Sequence, residues 1–177
     1  MNNYDIIYKM IGRDKMKKLK NLFLCLSFVS ILFFTGCEEV PEKGIYKEGT
    51  YFGYAQSESY GSSLTTTAVV YVDDLGMIKS VFIDSTYAQP EGTLTTKKTL
   101  GDDYAMKETS ANMGNIPGGA EWYEQVETLE QEILKEQGLN WIKWSDDEKT
   151  KTDSVAGVTI AIDDIYSAVN NALNQAK

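Results

Sequence analysis

Residues 64–83, with the sequence LTTTAVVYVDDLGMIKSVFI, decide the fold class of this chain. Threonine and valine dominate residues 64–72, and apolar side chains recur through residues 77–83, which favours two β-strands. Asp73-Asp74-Leu75-Gly76 lies between them and has the aspartate and glycine composition of a tight turn. The stretch therefore predicts an antiparallel hairpin.

The segments on either side of the hairpin complete the predicted fold. The aromatic-rich residues 49–56 indicate a further strand, and the polar region 89–119 contains a predicted short helix at about 102–112. Residues 121–137 are the clearest helix, because apolar side chains recur there at helical spacing and Gly138 follows. A short strand is predicted at 139–144 and a terminal helix at 163–175. These elements predict an α+β fold, with a small antiparallel sheet packed by two or three helices.

The start of the chain is typical of an exported bacterial lipoprotein. Residues 16–20 are basic, and residues 22–34 form an apolar run that as a helix would span roughly 20 Å, short for a membrane crossing. Phe34-Thr35-Gly36-Cys37 follows and resembles a lipobox, which makes Cys37 the predicted lipid acceptor. The alternative, a cysteine inside a transmembrane or core segment, is disfavoured because two glutamates and a proline end the apolar run. We expect a signal peptide at 1–36 (with a natural start at Met16), a lipidated tether at 37–48 and one domain at 49–177.

Composition excludes several classes of site. The chain has no histidine, and its two cysteines are Cys25, in the signal peptide, and Cys37, so the mature domain has no free thiol for a disulfide, a metal or a nucleophile. Residues 1–36 hold six of the 17 basic and two of the 26 acidic side chains. The remainder has 11 basic and 24 acidic side chains, a net charge of −13, and no arginine. We therefore exclude nucleic acid as a partner. Any phosphate must be held by backbone N–H groups, lysine or a covalent bond.

Acidic pairs and aromatic residues can be explained by structural roles instead of by catalysis or cofactor binding. The acidic pairs occur at predicted turns and helix starts, where aspartate caps backbone N–H groups, so we do not expect a catalytic dyad. Trp122, Tyr123, Trp141 and Trp144 surround the predicted central helix and could either stack on a flat cofactor or fill the core. Trp122, on the apolar helix face, is expected to be core.

Residues 153–159, DSVAGVT, carry the strongest functional signal. From the residues alone they predict a buried strand leading into the terminal helix. Thr159 places a hydroxyl a few residues before that helix, where free N–H groups and the helix dipole stabilise a phosphate. A phosphate esterified to Thr159 would therefore need no arginine.

This segment resembles the flavinylation motif of the FMN-binding domain family, Asp-x-x-Ser/Ala-Gly-Ala-Thr near the C-terminus and followed by a helix. The family includes flavin-bearing subunits of sodium-pumping NADH:quinone reductases and lipoproteins of Gram-positive extracellular electron transfer. In it, a flavin transferase uses FAD to attach FMN to the threonine by a phosphoester. The resemblance covers about residues 46–177 and extends to Gly49-Thr50-Tyr51, LGDDYAM at 100–106 and EWYEQ at 121–125. Val158 stands where the family has alanine.

The resemblance implies a membrane-anchored flavoprotein that carries electrons on the extracytoplasmic face of the cell membrane, a redox carrier rather than a turnover enzyme. FMN would be attached at Thr159, Asp153 would be recognised by the transferase, and Gly157 would let the backbone approach the phosphate. The remaining implied site residues are Ala156 and Val158 in the motif and Trp122, Tyr123 and Met106 in the flavin pocket.

The implied partners are the flavin transferase, the membrane, a quinone-linked electron donor and an external acceptor. The alternative is a lipoprotein of the same fold without covalent flavin, serving as a ligand-binding or cell-surface interaction module. A third hypothesis, an envelope hydrolase, is disfavoured because histidine and any recognisable nucleophile motif are absent from the sequence.

Overall fold

The computed structural model describes residues 43–59, 61–89, 91–113 and 116–177, so the predicted signal peptide and Cys37 lie outside the described residues. In chain order the elements are β1 (Gly49–Ser59), β2 (Ser62–Val72), β3 (Ile78–Ala88), β4 (Leu94–Thr96), α1 (Lys97–Leu100), a 3₁₀ turn (Gly101–Tyr104), α2 (Lys107–Asn112), α3 (Trp122–Glu136) and α4 (Asp163–Gln175).

The sheet is an antiparallel meander in the order β1-β2-β3-β4. Its centre is the predicted hairpin, which is thereby confirmed. The Asp73 carboxylate closes the turn by accepting the N–H groups of Leu75 (3.1 Å) and Met77 (2.8 Å). Gly76 adopts φ +78°, a left-handed conformation that glycine enters without a Cβ penalty. Sequence composition thus located the hairpin, although β3 continues five residues beyond its predicted end.

The core lies between one face of the sheet and the two long helices. Helix α4 packs on β1 and β2, and α3 packs on β3. Gly53 permits the close approach of α4, because a Cβ there would stand 2.1 Å from the Ala168 carbonyl oxygen. The predicted α+β class is confirmed. The buried apolar side chains of this core include Ala68, Val70, Val72, Ile83, Val126, Leu129, Ile133, Ile165, Val169 and Leu173.

Side chains of both long helices pair with the backbone at the edges of the sheet. Glu130 of α3 and Gln137, which directly follows that helix, accept the N–H groups of Ile83 (2.6 Å) and Ile78 (2.7 Å) at the β3 edge. At the β1 edge, two amide side chains of α4, Asn171 and Gln175, donate to strand carbonyls. These bonds satisfy some of the backbone groups that strand pairing leaves open at the two edges.

The predicted helix at 102–112 is wrong as a continuous element. It is divided into the 3₁₀ turn and α2, with Ala105 between them at φ +59°. The cause is the buried Glu121 carboxylate, which accepts the N–H groups of Met106 (2.8 Å) and Lys107 (2.9 Å) and thereby fixes a new helix start there.

Two predicted strands are also wrong. Within residues 139–144 only Trp144 forms a β-bridge, with Thr152. The strand predicted at 153–159 is absent, and the apolar run 155–162 contains no strand either, because Gly157 turns the chain at φ +87° and Gln125 occupies backbone donors that a neighbouring strand would otherwise take.

Two further observations concern the ends of the domain and the membrane. Residues 44–47 hydrogen-bond to the β2–β3 turn and to the end of α4, for example from Lys47 N to Ala176 O at 2.7 Å.

Across the described part of the chain, every helix is too short or too polar to cross a membrane.

Candidate functional site

The segment 155–162 contributes alternate side chains to the core although it forms no strand. Val158, Ile160 and Ile162 are buried, while Thr159 is half-buried and Ala161 is exposed. This alternation is the period of two that an extended chain produces at the surface of a core. The buried strand predicted at 153–159 is therefore wrong in burial as well: Val158 is buried there, whereas Asp153, Ser154, Ala156 and Gly157 are exposed.

Gln125 of α3 supplies the hydrogen-bond partner that a strand would have supplied. Its side-chain oxygen accepts the Thr159 N–H (2.8 Å), the Thr159 hydroxyl (3.2 Å) and the Ile160 N–H (3.3 Å). Its Nε2 donates to the Ala120 carbonyl oxygen at 3.3 Å. Gln125 is 0% exposed, so its side-chain oxygen is shielded from solvent although Thr159 itself is half-buried. A single side chain therefore fixes both the backbone and the hydroxyl of Thr159.

The motif residues line one cleft of about 480 Å³. This volume falls in the range of small-molecule sites. Asp153, Ala156 and Gly157 are exposed in it, and a Cβ built on Gly157 would meet no atom within 4 Å. The full lining is Met113, Ser145, Lys151, Thr152, Asp153, Val155, Ala156, Gly157, Val158, Thr159 and Ile160.

A tightly bonded loop forms the opposite side of the cleft. The Asp146 carboxylate accepts the hydroxyl and the N–H of Thr150 and the N–H of Lys151, and these bonds, led by that of the Thr150 hydroxyl, lower the pKa of Asp146. Ser145 N–H donates to the Lys151 carbonyl at 2.9 Å, and Ile162 N–H donates to the Thr150 carbonyl at 2.7 Å. The loop thus places Lys151 beside the motif and ties it to the start of α4.

Lys151, rather than a helix N-terminus, is the positive group at this cleft. The last residue along the chain that lines the cleft is Ile160, whereas α4 begins at Asp163, so the helix N-terminus does not line the cleft. The first turn of α4 carries the carboxylates of Asp163 and Asp164, which oppose a phosphate. The Lys151 ammonium can offer a charge-assisted hydrogen bond to an anion instead.

A second cleft of about 490 Å³ adjoins the first and shares Ser145 and Asp153 with it. Two half-buried indoles, Trp141 and Trp144, line it. Trp141 Nε1 donates to the Gly138 carbonyl at 2.9 Å, and Trp144 packs edge-on against Tyr166 with ring centroids 5.1 Å apart. Both indoles are therefore held in place, and both remain partly exposed.

The three residues predicted for a flavin pocket do not line either cleft. Trp122 is buried in the core, and the Lys97 ammonium lies 5.0 Å from its ring centroid. The Tyr123 hydroxyl donates to Asp102 at 3.2 Å, and that bond raises the Tyr123 pKa. Met106 packs against the core and its N–H is bound by Glu121. Their contact with a flavin stays a prediction.

Sequence reasoning missed Gln125 and Lys151 as site residues. Gln125 had a recognisable signal, because it is a polar residue within the apolar stripe of α3, three positions after Trp122 and four before Leu129. Lys151 stood in a charged loop and had no such signal. Among the described residues, no group of three or more acidic side chains could hold a metal ion.

Comparison with known proteins adds no relative to this geometry. No protein-family model, curated protein or solved structure matches the chain. The resemblance to the FMN-binding domain family therefore depends on the motif and segments quoted above.

Proposed function

We propose that this chain is a membrane-anchored flavoprotein electron carrier, with FMN attached through a phosphoester to Thr159, that moves electrons outside the cytoplasmic membrane. The single observation that supports it most is that Asp153, Ala156, Gly157, Val158 and Thr159 line one cleft of suitable volume.

The groups at the cleft fit an FMN phosphate and ring. Lys151 would pair with the phosphate, and the hydroxyl of Ser145 can donate or accept a hydrogen bond. Trp141 and Trp144 in the adjoining cleft offer aromatic faces for a flat ring. When bound, FMN would supply the one- and two-electron redox chemistry, while the chain supplies attachment, orientation and electrostatics.

The charge of the domain favours a covalent bond. Residues 37–177 carry a net charge of −13, which disfavours noncovalent retention of a flavin phosphate. A phosphoester keeps the cofactor in place despite that repulsion. Two or three acyl chains on Cys37 would hold the carrier at the membrane far more firmly than one. In this position it would accept electrons from a quinone-linked donor and pass them to an external acceptor.

The second candidate function is a ligand-binding or cell-surface interaction lipoprotein without covalent flavin. The observation that favours it is Val158, which stands where the family has alanine and adds two methyl groups beside Thr159. Its side chain is buried, so the larger residue is accommodated in the core.

The test is to express the full chain in an exporting bacterium with and without a flavin transferase and to record intact mass. We expect a mass gain of one FMN less one water with the transferase, abolished in Thr159→Val. Thr128→Val, a half-buried threonine of α3 that does not line the cleft, is the matched control and should be modified normally. An unchanged wild-type mass with an active transferase would overturn the proposal in favour of the second function.

The anchor is tested separately with Cys37→Ser. This variant should lose incorporation of labelled fatty acid and pass from the membrane fraction to the soluble fraction. Lipid labelling that persists in Cys37→Ser would contradict the assignment of Cys37.

A further inference from the structure

We propose that Gln125 is a positioning residue for flavin transfer: it holds the Thr159 hydroxyl with its proton directed into the protein and its lone pairs free. The inference rests on the proposed function. It concerns a helix residue 34 positions away in sequence that forms no part of the flavinylation motif.

The orientation of the Gln125 amide is fixed by its partners. Backbone N–H groups of Thr159 and Ile160 both point to one end of the amide, and an N–H donor can pair only with the oxygen. The other end donates to the Ala120 carbonyl. The atom that faces the Thr159 hydroxyl at 3.2 Å is therefore the oxygen Oε1.

This geometry determines what the hydroxyl can do. Oε1 accepts hydrogen bonds but cannot donate them, so the Thr159 hydroxyl must act as the donor. Its single proton is committed to Gln125, and both lone pairs of Oγ1 stay available for an electrophile. A hydroxyl without this partner would rotate among its staggered positions and present lone pairs in a fixed direction for only part of the time.

The transfer reaction needs that arrangement. A bond forms between Thr159 Oγ1 and the phosphorus of the FMN half of FAD, and the bond from that phosphorus to the oxygen bridging the AMP half breaks. AMP leaves, the hydrogen bond from the hydroxyl to Gln125 breaks as the new phosphorus–oxygen bond forms, and the released proton passes to a base supplied by the transferase, with no electrons exchanged. A neutral amide oxygen is too weak a base to keep the proton, so Gln125 aligns the nucleophile without activating it.

The contacts between Gln125 and the Thr159 segment are also compatible with the chain after FMN is attached. After esterification Oγ1 carries no proton, so the hydroxyl bond to Gln125 is lost. The bonds from the N–H groups of Thr159 and Ile160 do not depend on that proton. Gln125 can therefore hold the segment in the same position before and after FMN is attached.

Helix α3 offers matched controls. Gln131 is exposed on the same helix, and Gln137 is a second glutamine whose amide pairs with backbone, at Ile78 in β3. Gln131→Met tests whether a glutamine-to-methionine change on this helix affects transfer when no hydrogen bond to Thr159 is lost. Gln137→Met tests the loss of comparable backbone hydrogen bonds at a place away from the cleft.

The experiment compares the initial rates at which a purified transferase modifies the full chain from FAD in detergent, followed by intact mass. For Gln125→Met we expect kcat to fall by about 10- to 100-fold, as for a misplaced reacting group, with KM for the chain within about twofold. Gln125→Glu restores an oxygen acceptor and should recover most of kcat. Gln131→Met and Gln137→Met should match the wild type. In the unmodified chain, amide exchange at Thr159 and Ile160 should accelerate in Gln125→Met alone.

The outcomes separate this inference from the proposed function. An unmodified wild type would overturn the proposed function and this inference with it. A modified wild type together with an equally fast Gln125→Met would overturn the role of Gln125 alone. If Gln125→Met does not fold, Gln125→Glu decides: a folded variant modified at a near wild-type rate supports the role, and a folded variant that is not modified contradicts it.

Discussion

Residues 64–72 and 155–162 are two apolar runs of similar composition with different outcomes. The first became the middle of the sheet, where β1 and β3 satisfy its backbone on both sides. The second also buries alternate side chains, yet its hydrogen bonds at Thr159 and Ile160 go to the Gln125 side chain. The difference teaches that apolar alternation determines which side chains are buried, whereas the available partners determine whether the backbone becomes a strand.

Because residues 155–162 do not pair as a strand, the backbone around Thr159 lacks the ladder of hydrogen bonds that β2 has on both sides. A strand ladder would enclose the backbone around Thr159 in regular hydrogen bonds. Its place is taken by one helix side chain, which leaves Gly157 and Ala156 exposed in the cleft. The unpaired run can therefore present a hydroxyl to an enzyme while its alternate residues remain in the core.

The largest effect is expected from an aspartate in the paired run. Val70 is 0% exposed on the inner face of β2, so Val70→Asp buries a charge without a partner and should cost more than about 4 kcal/mol. Ala161→Asp, at an exposed position of the unpaired run, should change the free energy of unfolding by less than about 0.5 kcal/mol. Urea unfolding of both variants measures this, and equal losses would show that the two runs are buried alike.

A smaller effect is expected at the turn within the unpaired run. Gly157→Ala should cost about 1 kcal/mol, because φ +87° is strained for a residue with a Cβ. Gly118→Ala introduces the same strain at φ +80°, also with no atom within 4 Å of the new Cβ, and should cost a similar amount.

Flavin transfer should distinguish these two glycine variants. We expect Gly157→Ala alone to slow transfer by about 10-fold, since its methyl group enters the cleft beside the motif. The measurement is the initial rate of mass gain under transferase. Equal transfer rates in the two variants would mean that the Gly157 turn serves only the fold.

The smallest effect concerns Glu130, the residue of α3 that pairs with the β3 edge as Gln125 pairs with the unpaired run. Burial raises the Glu130 pKa, while the ion pair with Lys98 at 2.7 Å and the Ile83 N–H act against that rise. The folded protein therefore holds the Glu130 proton more tightly than the unfolded chain. The stability that the protonated Glu130 contributes is complete at pH values below its pKa in the unfolded chain. It is lost as the pH rises through its pKa in the folded protein.

Glu130→Gln removes that titration and keeps an oxygen for Ile83. The unfolding free energy of the variant relative to wild type should thus increase as pH rises from about 4 through the folded pKa. Urea unfolding of both proteins across pH 4 to 8 checks it. A difference that stays constant, or that decreases with rising pH, would contradict the sign of the pKa shift.

Local patterns explain what the sequence could predict. The β2–β3 hairpin was predictable because Asp73 and Gly76 define its turn within a few residues. Helices α3 and α4 were predictable from their apolar periodicity. The extension of β3 was hidden because Asp84 and Ser85 are polar, and their partners, the Lys98 N–H at 3.0 Å and the Thr66 hydroxyl at 3.2 Å, lie on other elements.

Long-range partners explain what the sequence could not predict. The motif marked Thr159 as the attachment site, but the bond from Gln125 joins residues 34 positions apart. The cleft likewise needs the loop around Asp146 to bring Lys151 opposite the motif. Neither arrangement is encoded in a local repeat or spacing, so both required the folded chain.

The most direct test of the central claim is to map the flavin by tandem mass spectrometry on the full chain modified in the presence of the transferase. Trypsin cuts after Lys151 and releases residues 152–177 as one peptide, which holds Thr159 together with the competing hydroxyls of Thr152, Ser154, Tyr166 and Ser167. The account predicts fragment ions that place one FMN less one water on Thr159. A flavin on any other hydroxyl, or a peptide left unmodified by an active transferase, would contradict it.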